Sequence, residues 1–241
     1  MKRFYYDKQL NINEKYLIDG IEHNHIKNVM RMKVGDQIIL VCGDEFDYFA
    51  EIINITKGDT EVRVFDKKLN NCNPKSNVTV FQALVKSDNM TLIVQKLTEL
   101  GVMTFVPFES EFITSKDKFG KTTKLQDISN QSIKQCKRSM PMLVKNTIDF
   151  NELVNVLDDF DIVLFANECE KTQNLRDIKI STDSKVAIII GSEGGFSPKE
   201  IDLLKEKAIS VSLGNRILRA ETASIALTSY VMCSLGEWDY V

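Results

Sequence analysis

The spacing of apolar and polar positions changes near residue 72. Before that point the apolar runs are short and partly alternating, at 37–42, 46–54 and 59–66, and carry β-branched and aromatic residues. Cys42-Gly43-Asp44-Glu45 and Lys57-Gly58-Asp59 supply turns between them. One helix is predicted over 25–32, ended by Lys33-Val34-Gly35-Asp36. This pattern predicts a small β-barrel with a helix. The polar stretch 69–77, which contains Pro74, reads as a linker and divides the chain into domains at 1–72 and 73–241.

Beyond the linker, continuous apolar runs alternate with helical stretches. Strands are predicted at 78–84, at 104–106 closed by Pro107, and at 161–166. Helices are predicted over 89–100, stopped by Gly101, and over 122–137. The most informative stretch is 185–223. Apolar runs at 186–190 and 209–213 feed two glycine turns, Gly191-Ser192-Glu193-Gly194-Gly195-Phe196 and Gly214-Asn215-Arg216-Ile217-Leu218-Arg219. Such runs, bounded by glycine, read as strands buried on both faces, which parallel sheets produce. Between the turns, Ser197-Pro198-Lys199-Glu200 is a capping box with proline at the first helical position, opening a helix to about Lys207. A last helix over 221–236 carries small residues early, at Ala223, Ser224 and Ala226. The expected fold class is α/β, with a mainly parallel C-terminal sheet behind the small β-barrel. Ligands of such sheets sit beyond the carboxyl ends of the strands, where both glycine turns lie.

Three glycines within five residues let a ligand touch bare backbone. The spacing matches neither the dinucleotide nor the P-loop fingerprint. Glu193 would repel a polyphosphate, yet suits a cation or a sugar hydroxyl. A ligand with adenine, ribose and a positive centre but no phosphate fits, and S-adenosylmethionine is such a ligand. A tight turn followed by ordinary helix capping accounts for the same residues.

Composition narrows the class. Of 241 residues 43% are hydrophobic and 27% charged, as in globular proteins. No apolar run approaches the ~20 residues of a membrane span, and the N-terminus shows no signal-peptide core, so a cytoplasmic location is expected. The five cysteines are scattered and never spaced C-x-x-C, which argues against zinc or disulfides. His23 and His25 have no third ligand nearby, so no metal is expected. The net charge is −3, but between Lys116 and Lys145 stand eight basic residues (Lys116, Lys118, Lys121, Lys124, Lys134, Lys137, Arg138, Lys145) against Asp117 and Asp127. That local excess can hold phosphates. A solvated helix face fits it equally well.

The two glycine turns, the second continuing into Ala220-Glu221-Thr222-Ala223, resemble the paired signature motifs of the SPOUT methyltransferases. Within them the chain is similar to the ribosomal RNA small-subunit methyltransferase E family, which methylates N3 of a uridine in 16S rRNA. The resemblance extends to Lys86, to the stretch 95–102, to Gln135 to Arg138, and to 25–31 with Gly35-Asp36 in a PUA-like RNA-binding domain. It implies S-adenosylmethionine held by Phe165, Gly191, Glu193, Gly194, Gly195, Leu213, Gly214, Ile217, Leu218 and Ala223. Arg219 is the candidate active-site cation, with anchoring of the turn to Glu221 or Glu193 as its alternative role, and Glu193, Glu221 or solvent is the candidate proton acceptor. RNA contacts fall to Arg31, Lys86 and Arg138. It further implies a deep trefoil knot, a homodimer with the active site across the interface, and 16S rRNA or the small ribosomal subunit as partner. Two departures stand out: Ser192 replaces the family's usual proline, and Phe112 replaces an arginine, removing a phosphate or base contact. The alternatives are a methyltransferase of this fold acting on another RNA position, and a non-catalytic RNA-binding protein of this fold.

Overall fold

The computed structural model describes residues 1–113 and 121–239. The chain divides into two compact units, one of 1–73 with 130–141, the other of 74–129 with 142–241.

The first unit is a five-stranded sheet in the order β1-β3-β4-β5-β2, from β1 (Lys2–Tyr5), β2 (Lys15–Ile18), β3 (Gln37–Val41), β4 (Phe46–Ile55) and β5 (Thr60–Leu69). β1 pairs with β3 in parallel, and the other ladders are antiparallel. Register shifts at Phe49/Ala50 and Ile52/Asn54 interrupt the β4–β5 ladder, and such bulges strengthen local twist. All five strands place side chains in one core, from Phe4 and Ile18 on the edge strands to Leu40, Ile52 and Val64 within. A sheet whose two edges share one cluster must curl, which is the barrel-like form the alternation predicts. Helix α1 (Gly20–Asn24) runs into a π-helical turn at His25–Val29. The helix therefore starts earlier than predicted and ends before Arg31, whose φ of 53° is left-handed. The 130–141 segment belongs here because Asn70 and Asn73 tie it down. Asn70 Nδ2 donates to the Lys137 carbonyl (2.8 Å), and Asn73 Oδ1 accepts from the amides of Ser139 and Met140 (3.0 Å each).

The second unit carries an all-parallel six-stranded sheet in the order β11-β9-β10-β6-β7-β8. Its strands are β6 (Val78–Ala83), β7 (Thr104–Phe108), β8 (Leu143–Val144), β9 (Ile162–Ala166), β10 (Val186–Ile190) and β11 (Ile209–Val211). The helices are α2 (Ser87–Leu100), α3 (Lys121–Cys136, whose last residues belong to the first unit), α4 (Phe150–Val156), α5 (Pro198–Lys205) and α6 (Ala220–Ser234). The continuous apolar runs have a direct cause: both faces are covered. Val186, Ile188 and Ile190 join the core that includes residues of α2 and α6, while Ala187 and Ile189 join the one that includes residues of α4 and α5. Pro107 lies inside β7 instead of closing it. β8 pairs only with Thr104 and Phe105, and the Pro107 carbonyl, on the outer side, accepts from Ile148 N–H (3.1 Å). The missing donor therefore breaks no ladder bond. Gly101 ends α2 with a φ of 105°. Among the described residues no helix is long and apolar enough to cross a membrane.

Candidate active site

Beyond the carboxyl ends of β9, β10 and β11, and beside the start of α2, lies a cavity of about 600 Å³, within the usual range for small-ligand sites. The chain leaving β10 forms its first wall. Gly191 follows Ile190 directly and is buried. A Cβ there would stand 3.2 Å from the Gly195 carbonyl carbon and 3.2 Å from Phe196 Cε2. The turn closes through Gly195 N–H donating to the Ser192 carbonyl (3.0 Å), and Gly195 adopts a left-handed φ of 70°. Gln82, fully buried at the end of β6, donates to the Gly191 carbonyl (3.2 Å) and holds the turn to the sheet. Glu193 is exposed, and its Oε1 accepts from the amide of Lys86, the residue that starts α2 (3.2 Å).

The turn then enters α5 through the expected capping box: Ser197 Oγ accepts from Glu200 N–H (3.3 Å) and Glu200 Oε2 from Ser197 N–H (2.9 Å). Glu200 has a second task. Buried at 5% exposure, it also accepts from Glu111 N–H (2.9 Å) and from Ser110 Oγ (3.1 Å). Among the described residues no cation pairs with this buried carboxylate, which is tolerated because these donors satisfy it.

The opposite wall comes from the second turn. Leu213, Gly214 (φ 98°), Ile217 and Leu218 line the cavity. Ile217 is 82% exposed and presents its apolar side chain at the cavity. Arg219 precedes α6 and is exposed at the cavity. Among the described residues it has no carboxylate within ion-pair distance, so it is not spent on Glu193 or Glu221. It stands at the positive end of the helix dipole, where both favour an anion. Glu221, in the first turn of α6, is buried at 9% exposure, and its Oε2 has no hydrogen-bond partner among the described residues. An orphan buried acceptor of this kind calls for a donor from outside the chain. Ala223 completes the wall, its small side chain admitting close approach.

Thus Gly191, Glu193, Gly194, Gly195, Leu213, Gly214, Ile217, Leu218, Arg219, Glu221, Ala223 and Lys86 meet around one cavity. Phe165 does not. Strand alternation turns it to the α4/α5 face, fully buried against Phe196 (ring centroids 6.1 Å), and its successors Ala166 and Asn167 line the cavity instead. Arg138 is also displaced: at 2% exposure it is buried, so its guanidinium is not offered to a phosphate at the surface. Arg31 lies exposed in the first unit. The basic stretch is less of a patch than its composition suggests, since Lys134 is paired with Glu22 (2.6 Å). Lys124, Lys137 and Lys145 are exposed. Lys116 and Lys118 lie outside the described residues. His23 is buried against Thr60 Oγ1 (2.8 Å), and among the described residues no group of acidic, histidine and cysteine side chains gathers as metal ligands. Sequence reasoning missed Gln82, Asn89, Asn167, Cys169 and Arg216. Gln82 alone carried a signal, as a polar residue ending an otherwise apolar run.

A family model described as RNA methyltransferase domain matches residues 71–232, and one described as RNA methyltransferase PUA domain matches residues 18–65. The protein named ribosomal RNA small subunit methyltransferase E in Rickettsia conorii is 30% identical over 234 residues, covering 95% of this chain and 94% of its own length. The protein of the same name in Bacillus subtilis is 29% identical, covering 96% of each. Among solved structures, a methyltransferase from Legionella pneumophila in complex with its cofactor S-adenosylmethionine superposes with a TM-score of 0.89 at 27% identity, covering 96% of this chain and 97% of that one.

Proposed function

The chain belongs to the ribosomal RNA small-subunit methyltransferase E family of RNA methyltransferases, and from that membership we propose that it transfers the methyl group of S-adenosylmethionine to N3 of a uridine in 16S ribosomal RNA. The observation that carries the reading is the meeting of the two glycine turns: Gly194 and Leu218 line one cavity.

S-adenosylmethionine supplies an electrophilic methyl on a sulfonium, together with an adenine and ribose hydroxyls. The residues present fit it. A Cβ at Gly191 would stand 3.2–3.3 Å from the facing limb of its turn, tighter than ordinary contact, so bare backbone suits this cradle. Glu193 and Glu221 suit a cation and hydroxyl donors and disfavour a polyphosphate. Leu213, Ile217 and Leu218 offer apolar cover for the adenine.

The chain's remaining work is to position a base and manage charge. N3 is hidden in a paired uridine, so the base is splayed out before reaction. As N3 loses its proton, negative charge spreads to O2 and O4, and Arg219 with the N-terminus of α6 stabilises it. Glu221 or Glu193 accepts the proton, and the unpartnered Oε2 favours Glu221. Holding both partners in line supplies the rest of the acceleration by proximity. Residues 1–72 form the RNA-holding domain, with Arg31 as a contact, and residues 73–241 the methyltransferase domain, with Lys86 at the cavity rim. A homodimer with the active site across its interface, a deep trefoil knot and a cytoplasmic location complete the proposal.

The test is methyl transfer from labelled cofactor to naked 16S rRNA and to assembled small subunits, with mass mapping of the methylated nucleoside. Arg219→Ala is expected to lower kcat by about 10²-fold or more while calorimetry finds cofactor affinity unchanged. A variant that loses cofactor binding together with its fold removes Arg219 from the catalytic role.

A further inference from the structure

Phe112 follows β7 in the second unit and is 43% exposed. A lone exposed phenylalanine means little by itself. This one differs in how its backbone is held. The Phe112 carbonyl accepts a hydrogen bond from Ser192 Oγ (2.9 Å), inside the glycine turn. One residue back, Glu111 N–H donates to the buried carboxylate of Glu200 (2.9 Å), and Ser110 Oγ donates to the same carboxylate (3.1 Å). Phe112 Cβ also lies against Gly194, where an added Cβ would come within 3.0 Å of it. Two backbone hydrogen bonds, at Phe112 and Glu111, and a side-chain one at Ser110 thus hold the segment 110–112 beside the wall of the cavity, while Phe112 remains partly in solvent.

An exposed aromatic residue whose backbone is held next to a site that must receive a splayed base has one evident use. We infer that Phe112 is a stacking platform for the uracil being methylated, and that Ser192 and Glu200 position it. The inference rests on the RNA methyltransferase reading above.

The experiment measures KM for RNA, kcat, and cofactor Kd by calorimetry, for the wild type and for Phe112→Ala, Phe112→Leu and Phe112→Tyr. Loss of one base–aromatic stack raises KM for RNA by about five- to 150-fold in the Ala and Leu variants. Cofactor Kd stays at the wild-type value, and the Tyr variant restores KM. Leu keeps the apolar bulk without the π face, so a Leu variant that performs as wild type overturns the inference, as does an Ala variant with unchanged KM. Ser192→Ala is expected to raise KM for RNA in the wild-type background and to add nothing in the Phe112→Ala background. Equal effects in both backgrounds overturn the positioning role of Ser192. A wild-type chain that binds cofactor and methylates no RNA overturns the functional reading and this inference together. A wild-type chain that methylates RNA, with variants that all match it, overturns this inference alone.

Discussion

Gly191, Gly194 and Gly195 are each required for a different reason, and alanine at each is expected to fail differently. At Gly191 the φ is ordinary, and the obstacle is steric: a Cβ would stand 3.2–3.3 Å from two Gly195 backbone atoms and 3.2 Å from the Phe196 ring. The opposing limb is tied by the Gly195–Ser192 hydrogen bond, so it gives way only by distorting the turn. Overpacking of this kind costs about 1–3 kcal/mol. Shortening the unfolded chain's conformational freedom offsets about 0.4–1 kcal/mol of it. The middle of these ranges leaves a net cost of about 1.3 kcal/mol, so at about 2–4 °C per kcal/mol for a chain of this size Tm falls by roughly 3–5 °C and cofactor affinity falls with it. At Gly195 nothing lies within 4 Å of an added Cβ, and only the left-handed φ of 70° resists, for about 1–2 kcal/mol. Asparagine tolerates that region. Gly195→Asn is therefore expected to recover most of what Gly195→Ala loses, whereas Gly191→Asn recovers nothing. At Gly194 the added Cβ would stand 3.0 Å from Phe112 Cβ and 3.3 Å from the Phe112 carbonyl oxygen, so KM for RNA responds as well as Tm. Calorimetric Tm and titration of cofactor binding decide the matter. A neutral Gly191→Ala, or equal rescue by asparagine at 191 and 195, refutes the account of the turn.

Cysteine labelling locates the cofactor independently of catalysis. Cys72, Cys169 and Cys233 are exposed, and only Cys169 of these lines the cavity. Burial, with Asp44 beside it, pushes the Cys42 thiol up to about 11, so it should resist iodoacetamide at pH 8. S-adenosylhomocysteine at about 100 times its Kd should slow labelling of Cys169 by up to roughly 100-fold by mass action and leave Cys72 and Cys233 untouched. Equal labelling of Cys169 with and without it would move the cofactor elsewhere. The neighbouring Glu170 gives a pH prediction. Hydrogen bonds from the Thr172 hydroxyl (2.6 Å) and amide (2.8 Å), with help from Ser210, hold its carboxylate down at about 2, against an ordinary value of 4.5. Its folded value is the lower one, so the turn's contribution is complete above pH 4.5 and is lost as pH falls toward 2. Carboxyl NMR should find the midpoint in the lower part of that window, and a midpoint at 4.5 would show that the turn does not form.

Local signals in the chain suffice for much of the candidate site. A five-residue run rich in β-branched residues and ending in glycine reads as a strand covered on both sides, and Val186–Ile190 is one. Ser197-Pro198-Lys199-Glu200 specifies the start of α5 because capping is a contact between near neighbours. Lys96 and Glu99, three apart on α2, pair at 2.9 Å for the same reason. What escaped depends on contacts between distant positions. An unbroken apolar run carries no alternation, so nothing in it told which face Phe165 would take; the layers around the sheet turned it away from the cavity and left Ala166 and Asn167 there. Arg138 reads as a surface charge, but Asn70 and Asn73 fasten its segment to the first unit, and it is buried. Glu200 reads as a cap, and only the folded chain brings Ser110 and Glu111 to its free lone pairs. The sequence by itself determined the strands, the glycine turns and the chemistry of the residues on them. The tertiary structure alone decided that Ser192 holds Phe112 and that the two turns share one hollow, because pairings eighty residues apart depend on how the sheet orders its strands and on nothing in the local chain.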